Sequence, residues 1–521
     1  MLSSIRLDYD DSDNERFLQL HISAIYIYTQ RKLRRGCRRS THSEAMADQA
    51  NNNKKKKELH VVLFPWLAFG HIIPYLQLAK LLAQKGHRVS FISTPRNIHR
   101  LPTLPPHLSP LITFVKFPLP HDHNLPENAE STMDVPPHKV PHLKAAFDAL
   151  RHPLSRFLHT TSPDWIIYDF APHWLPAIAA DLRISSAIFS AFNAWSVSFF
   201  GPPSSLIHGD ASRTEPHQFT VPPKWVPFPS TVAFRLYEIN RFFGVMETIS
   251  SGVSDMFRFG TAAAGADVYL MRGCRELDGH WLNLLAELYR KPVIPVGLMP
   301  PQVEDTGDDT WLEIRGWLDE QVRGSIVYVA LGSEVALSQE ELTELALGLE
   351  LAGLPFFWAL RKKVSSTTTH QLSETDSAEL PDGFEERTRG QGVVWANWVP
   401  QLKVLSHESV GGFLTHCGWS SVIEGLQFGR PLVMLPILGD QYLNARALGE
   451  LGVGMEIGRD GEEGSLGRDS VAQTVKWVIE GEEGRACREK ARAMREIFGD
   501  HDLQAKYTDE FVGYLEAHRP S

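Results

Sequence analysis

Cysteine is scarce in this chain. Cys37, Cys274, Cys417 and Cys487 are scattered over 521 positions with no C-x-x-C pair. That spacing excludes a disulfide-stapled framework and a zinc ribbon, and it suits a reducing, cytoplasmic setting. Long apolar runs are missing too. The most apolar stretch, "LPAIAADLRISSAIFSAF", is broken by Asp181 and Arg183, so no membrane span is expected. The body of the chain has no sustained basic stripe, and 52 basic against 62 acidic residues leave a net charge of -10. Without a basic footprint, a nucleic-acid partner is not expected. A D-x-D string at a strand end, which would hold a metal-bound diphosphate, is lacking as well. "DYD" and "DSD" fall near the amino terminus, "DHD" follows an amphipathic helix, and "HDH" at 121–123 lies in a proline-rich loop. No metal site is expected.

What is present is a regular alternation of short apolar runs and amphipathic helices. Residues 1–58 stand apart, with the acidic "DYDDSDNE" and the basic "RKLRRGCRR" and "KKKK". They read as a disordered extension, and Met46 is the expected start of translation. From Leu59, "LHVVLFPW", "YLQLAKLLAQKG" and "RVSFIST" form a strand, helix and strand, and "DWIIYDF", "HWLPAIAADL" and "SSAIFSAF" repeat the unit. Parallel crossovers of this kind imply a doubly wound α/β sheet. A second series runs through "GSIVYVALGSE", "PFFWAL", "GVVWANW", "VGGFLTH" and "PLVMLPI". The reading is therefore an α/β domain at 59–296, a linker at 297–310 and a second α/β domain at 311–499. The helical stretch 500–521 fits either domain, including a return onto the first. "SSTTTHQLSETDSAE" is a surface loop of the second domain.

The segment "FLTHCGWSSVIEG", residues 413–425, carries the chemistry. It is a strand that ends in polar groups where a helix begins. In an open parallel sheet this is where ligands sit, and a helix start there offers unpaired N–H groups to phosphate. Gly418 permits close approach of the backbone, Ser420 and Ser421 offer hydroxyls, and His416 is a further donor. Glu424, one turn after Ser420, is placed to accept from the vicinal hydroxyls of a ribose. Each of these residues also has an ordinary role as cap, turn or solvated helix position. Together they describe a nucleoside diphosphate site.

The wider segment from Trp398 to Gln441, "WVPQLKVLSHESVGGFLTHCGWSSVIEGLQFGRPLVMLPILGDQ", resembles the signature box of plant UDP-sugar-dependent glycosyltransferases. The resemblance extends to "PWLAFGHIIPYLQLAKLLAQKGHRVSFIST" and "YVALGSE", and is nearest to the branch that adds a sugar to an existing glycoside. It implies two facing Rossmann-like domains of the GT-B type with a cleft between them, the donor held by the second and the acceptor by the first. It further implies that Trp398 stacks on uracil with Val399 and Gln401 at its edge. Ser333, His416, Gly418, Ser420 and Ser421 would hold the diphosphate, Glu424 the ribose, and Trp419, Asp440 and Gln441 the donor sugar. His71, in "FGHIIP" after the first strand, matches the family's base, and Asp169, ending "DWIIYDF", matches its partner. The implied reaction is a metal-independent inverting transfer with no cofactor beyond the UDP-sugar co-substrate. Glucose is the first expectation for the sugar and rhamnose the second. The acceptor would be a flavonoid or terpenoid glycoside, and the protein a monomer.

Three positions depart from the usual wording: Ser420 stands where Asn is common, Val399 where Ala is, and Arg430 where a small apolar residue precedes proline. Phe189, Phe192, Trp195, Phe199, Phe200, Trp225 and Phe228 offer aromatic surface to an acceptor, although fewer than half are expected to line a pocket. A nicotinamide oxidoreductase would need G-x-G-x-x-G after the first strand, where "FPWLAFGH" stands instead. An aglycone glucosyltransferase and a silent UDP-sugar or glycoside binding protein are the remaining alternatives, and the latter would not be expected to keep His71 and Asp169.

Overall fold

The computed structural model describes residues 58–210, 212–246, 252–303, 309–332, 337–360 and 379–520. The amino-terminal extension through residue 57, Ser333 and most of the loop at 365–379 lie outside them. From Glu58 onward the chain forms one compact unit.

Two all-parallel sheets organise it. The first contains β1 (His60–Phe64), β2 (Arg88–Ser93), β3 (Ile112–Lys116), β4 (Trp165–Tyr168), β5 (Ser185–Ser190), β6 (Val268–Met271) and β7 (Val293–Pro295), in the order β3-β2-β1-β4-β5-β6-β7. The second contains β8 (Ile326–Ala330), β9 (Phe356–Ala359), β10 (Gly392–Trp395), β11 (Val410–Thr415), β12 (Leu432–Met434) and β13 (Gly454–Glu456), in the order β10-β9-β8-β11-β12-β13. Successive side chains on a strand point to opposite faces. Along β1, Val61 and Leu63 enter one apolar cluster and Val62 and Phe64 another; Val327 and Val329 of β8 are divided in the same way from Ile326 and Tyr328. Both sheets are thus covered on both faces, which is why their strands read as unbroken apolar runs.

Strand order reverses between β1 and β4 in the first sheet and between β8 and β11 in the second. Such switch points open a crevice beyond the carboxyl ends of the strands. His71 and Asp169 follow β1 and β4, while Gly332 and His416 follow β8 and β11. The strand ends of the two sheets also meet. Trp195, in the helix Ala194–Phe200 after β5, packs edge-on against Trp419 at 5.1 Å between ring centroids. One apolar cluster joins the two halves, from Phe64 and Tyr168 to Tyr328 and Phe413.

The helix His501–Ala517 lies against the first sheet. Phe511, Val512 and Leu515 are buried with Val61 and Leu63, and the indole of Trp165 donates to the carbonyl of Leu515 at 3.1 Å. Among the described residues, no helix is long and apolar enough to cross a membrane.

Candidate active site

His71 is the third residue of the helix Phe69–Gln84. Its Nδ1 lies 2.8 Å from Oδ2 of Asp169, and the two side chains are 12% and 2% exposed. Asp169 is fixed independently. The Trp66 backbone N–H donates to Oδ2 at 3.1 Å and the Phe170 N–H to Oδ1 at 2.8 Å. A carboxylate held this way accepts the Nδ1 proton of a neutral imidazole, which puts the lone pair on Nε2. The rings of Phe170 and Phe192 stand 5.6 and 5.3 Å from the imidazole centroid.

Those two phenylalanines also line a cavity of about 300 Å³. Phe200, Met256 and Phe259 extend its apolar wall, and Gly439, Asp440 and Gln441 close it from the second half. Of the seven aromatics singled out from the sequence, Phe192 and Phe200 line this cavity. Phe189, Trp195 and Phe199 are core residues, Trp225 donates to the Ser198 carbonyl, and Phe228 packs on Trp281.

Asp440 opens the helix Asp440–Glu450 after a glycine with positive φ. Burial pushes its carboxyl up to about 6, partly offset by the amide of Asn444 and the field of His71. Gln441 accepts the N–H groups of Ile437 and Leu438 at 3.1 and 3.0 Å and so shapes the loop before it. Asn444 is fully buried. Its Oδ1 accepts from Asn193, Trp195 and Ser196 at 2.5, 3.0 and 3.2 Å. Its Nδ2 donates to the Cys417 carbonyl at 2.9 Å and to Asp440 at 3.1 Å.

The turn from β11 into the helix Trp419–Leu426 is tight. Cys417 takes a φ of 65°, a left-handed conformation that is costly for a side chain other than glycine or asparagine. His416 is wedged between two glycines: a Cβ on Gly332 would meet its ring at 2.8 Å and one on Gly418 at 2.4 Å. Desolvation pushes the imidazole down to about 4, and its Nδ1 is buried without a partner among the described residues. His416 is therefore a neutral group at physiological pH. Ser420 accepts from Arg272 at 2.7 Å, and Ser421 follows it in the first turn of the helix. Glu424 accepts from Gln401 Nε2 at 2.5 Å, while Gln401 accepts from the Tyr328 hydroxyl at 3.1 Å. Burial raises the Glu424 carboxyl. Trp398 is 59% exposed, so it is not a core aromatic, and Val399 beside it packs on the core. Arg430 donates to the carbonyls of Leu405, His407 and Val410 at 2.7, 2.8 and 2.6 Å, a structural clamp that accounts for one departure from the usual wording.

Ser333 lies outside the described residues. The others fall into two groups: Asp440 and Gln441, which line the cavity, with His71 and Asp169 behind its Phe170 and Phe192, and Trp398, Val399, Gln401, His416, Gly418, Trp419, Ser420, Ser421 and Glu424 at the ends of β10 and β11. Sequence reasoning passed over Arg272, Asn444, Phe170, Met256 and Phe259. For Arg272 a signal exists, a charge placed directly after the buried run "VYLM" at a strand's carboxyl end. Among the described residues, no group of three or more His, Cys, Asp or Glu is arranged to hold a metal ion.

Residues 309–503 match the family described as UDP-glucoronosyl and UDP-glucosyl transferase. UDP-glycosyltransferase 91C1 of Arabidopsis thaliana is 50% identical over 467 residues, covering 89% of this chain and 98% of that protein. Soyasaponin III rhamnosyltransferase of Glycine max is 44% identical over 475 residues, covering 90% and 98%. In fold the chain is similar to Phytolacca americana UGT2, solved with UDP-2-fluoro-glucose and pterostilbene. The TM-score is 0.68 at 24% identity, over 88% of this chain and 99% of that one.

Proposed function

The chain belongs to the UDP-glycosyltransferase family, and from that premise we propose that it moves a sugar from a UDP-sugar to a hydroxyl of a small plant glycoside, with inversion and without a metal ion. The observation that carries this reading is a cavity in which Phe170 and Phe192, the neighbours of His71, face Asp440 and Gln441. An acceptor hydroxyl held there gives its proton to Nε2 of His71 as its oxygen attacks the anomeric carbon. Asp169 holds the imidazole in the required tautomer and stabilises the imidazolium that forms. Asp440 and Gln441 take the hydroxyls of the donor sugar. UDP departs on the opposite side, toward the start of the helix Trp419–Leu426 and His416, where N–H groups meet the charge that develops. Displacement from one face inverts the anomeric carbon.

The sugar is glucose or rhamnose. Gln441 at the end of the box supports glucose, and the Glycine max relative, named for rhamnosyl transfer to a saponin, supports rhamnose and an acceptor that already carries sugar. The apolar wall of Phe200, Met256 and Phe259 suits an aglycone body, and this also supports the second reading, direct glycosylation of an aglycone. A silent binding protein would have no use for the His71–Asp169 pair. The protein acts as a cytoplasmic monomer in this reading.

A mass-spectrometric screen of UDP-glucose, UDP-rhamnose and UDP-xylose against flavonoid and terpenoid glycosides and their aglycones tests it. A new sugar–glycoside product with inverted configuration is expected. No product from any pair, or turnover that EDTA abolishes, overturns the corresponding part of the reading.

A further inference from the structure

Arg272 follows β6 in the first half of the chain, yet it is built into the second. The residue is 3% exposed. Its Nε donates to the Leu298 carbonyl at 2.9 Å and its Nη1 to the Ser420 hydroxyl at 2.7 Å. Its own carbonyl accepts the indole N–H of Trp419 at 3.0 Å. Both ends of Arg272 therefore grip the first turn of the helix that starts the donor segment.

The charge at this place has no direct ion-pair partner among the described residues. No carboxylate among the described residues lies within ion-pair distance of Arg272. Glu424 acts on it only through the longer-range field, and burial leaves the guanidinium at about 10, still charged at neutral pH. A buried cation against the positive end of a helix is unfavourable until an anion arrives. His416 nearby is neutral and adds no charge.

The bond also directs Ser420. A hydroxyl has one proton to give and lone pairs that accept. Arg272 occupies a lone pair, and the guanidinium is the partner found for that oxygen among the described residues. The proton is then committed to another acceptor, and a hydroxyl polarised by a cation is a stronger donor.

We propose that Arg272 is a positioning residue for the donor diphosphate: it commits the Ser420 hydroxyl to a phosphate oxygen and supplies the positive potential that favours UDP as it leaves. The inference rests on the donor-site reading above and adds to it that the charge comes from the acceptor half of the chain. Recognition of the diphosphate then requires the two halves to be joined.

Calorimetric titration of the full chain with UDP, UMP and uridine separates the cases. Arg272→Gln should weaken UDP roughly 10- to 100-fold, the range for losing a hydrogen bond to a charged group. UMP should lose less and uridine less than about twofold, in line with their smaller charge, and Arg272→Lys should fall between Gln and the native residue. Equal losses for UDP and uridine would mark a merely structural role and overturn the inference, as would an unchanged UDP affinity. If Arg272→Gln does not fold, judged by thermal melting, Ser420→Ala takes its place: UDP weakened with uridine unaffected supports the proposal, and no change in UDP overturns it. Failure of the native protein to bind UDP at all would overturn the donor-site reading itself, and the inference with it.

Discussion

The side-chain amide of Asn444 donates to the Asp440 carboxylate at 3.1 Å while its oxygen accepts from Asn193, Trp195 and Ser196 of the opposite half. One buried side chain thereby ties the wall of the cavity to the start of the helix Ala194–Phe200. Asn444→Ala would leave three buried donors without an acceptor, each at a cost of about 1–3 kcal/mol. Calorimetric melting should show a fall of several degrees, and kcat should drop with it. Asn444→Asp should fail differently. It places a second carboxyl beside Asp440, so its defect should be worse at pH 8 than at pH 5.

His71→Ala should lower kcat by about two to four orders of magnitude, the usual worth of a positioned general base. UDP affinity should stay within about threefold, since in the proposed reaction the imidazole serves the acceptor. Asp169→Asn should also cost about two orders or more, because an amide that donates to Nδ1 moves the imidazole proton onto Nε2. Single-turnover rates beside UDP titrations check both. Native-like turnover in His71→Ala would remove that residue as the base.

Trp398 is 59% exposed, so its loss should cost little stability. Trp398→Ala should keep the melting temperature within about a degree while weakening UDP and uridine alike by roughly tenfold, as expected for a lost stacking face. Glu424→Ala should weaken UDP more than the acceptor. Equal loss of both ligands, with a lower melting temperature, would point to misfolding instead.

Two buried groups respond to pH with opposite sign. Asp440 is pushed up to about 6, so the stability linked to its proton is present at low pH and lost as pH rises from about 4 through 6. His416 is pushed down to about 4, so its contribution is present above pH 6.5 and lost as pH falls through 4. Each amounts to at most about 3 kcal/mol, and over the shared range they offset. Asp440→Asn should raise the melting temperature by a few degrees at pH 8 and not at pH 4, while lowering sugar transfer. His416→Gln should raise it at pH 4.5 and not at pH 8. A melting series across pH checks the signs.

Local features were legible from the sequence because they are set by near neighbours. Ser338 and Glu341 have the S-x-x-E spacing of a capping box, and in the structure the Ser338 hydroxyl accepts the Glu341 N–H at 3.2 Å at the head of the helix Gln339–Ala352. The strands β1, β2, β4, β5 and β8 to β12 were legible as apolar runs because both faces of each sheet are covered, whereas the edge strand β3 and the short β6, β7 and β13 were not read. Features that depend on distant pairing were not. Arg272 meets Ser420 across 148 positions and Asn444 meets Asn193 across 251, and no local pattern encodes those contacts. The aromatic run near residue 195 shows the same limit. Phe199 and Phe200 are neighbours in sequence, yet the first is buried in the core and the second faces the cavity.

The seating of the final helix governs how this protein can be taken apart. Because Phe511, Val512 and Leu515 fill the back of the first sheet, the chain's last segment works like a strap fastened to its beginning. A fragment cut near residue 300 would bare that apolar stripe and tend to precipitate. Hybrids assembled from two relatives will hold together only if the strap and the buckle around Trp165 are inherited from the same parent.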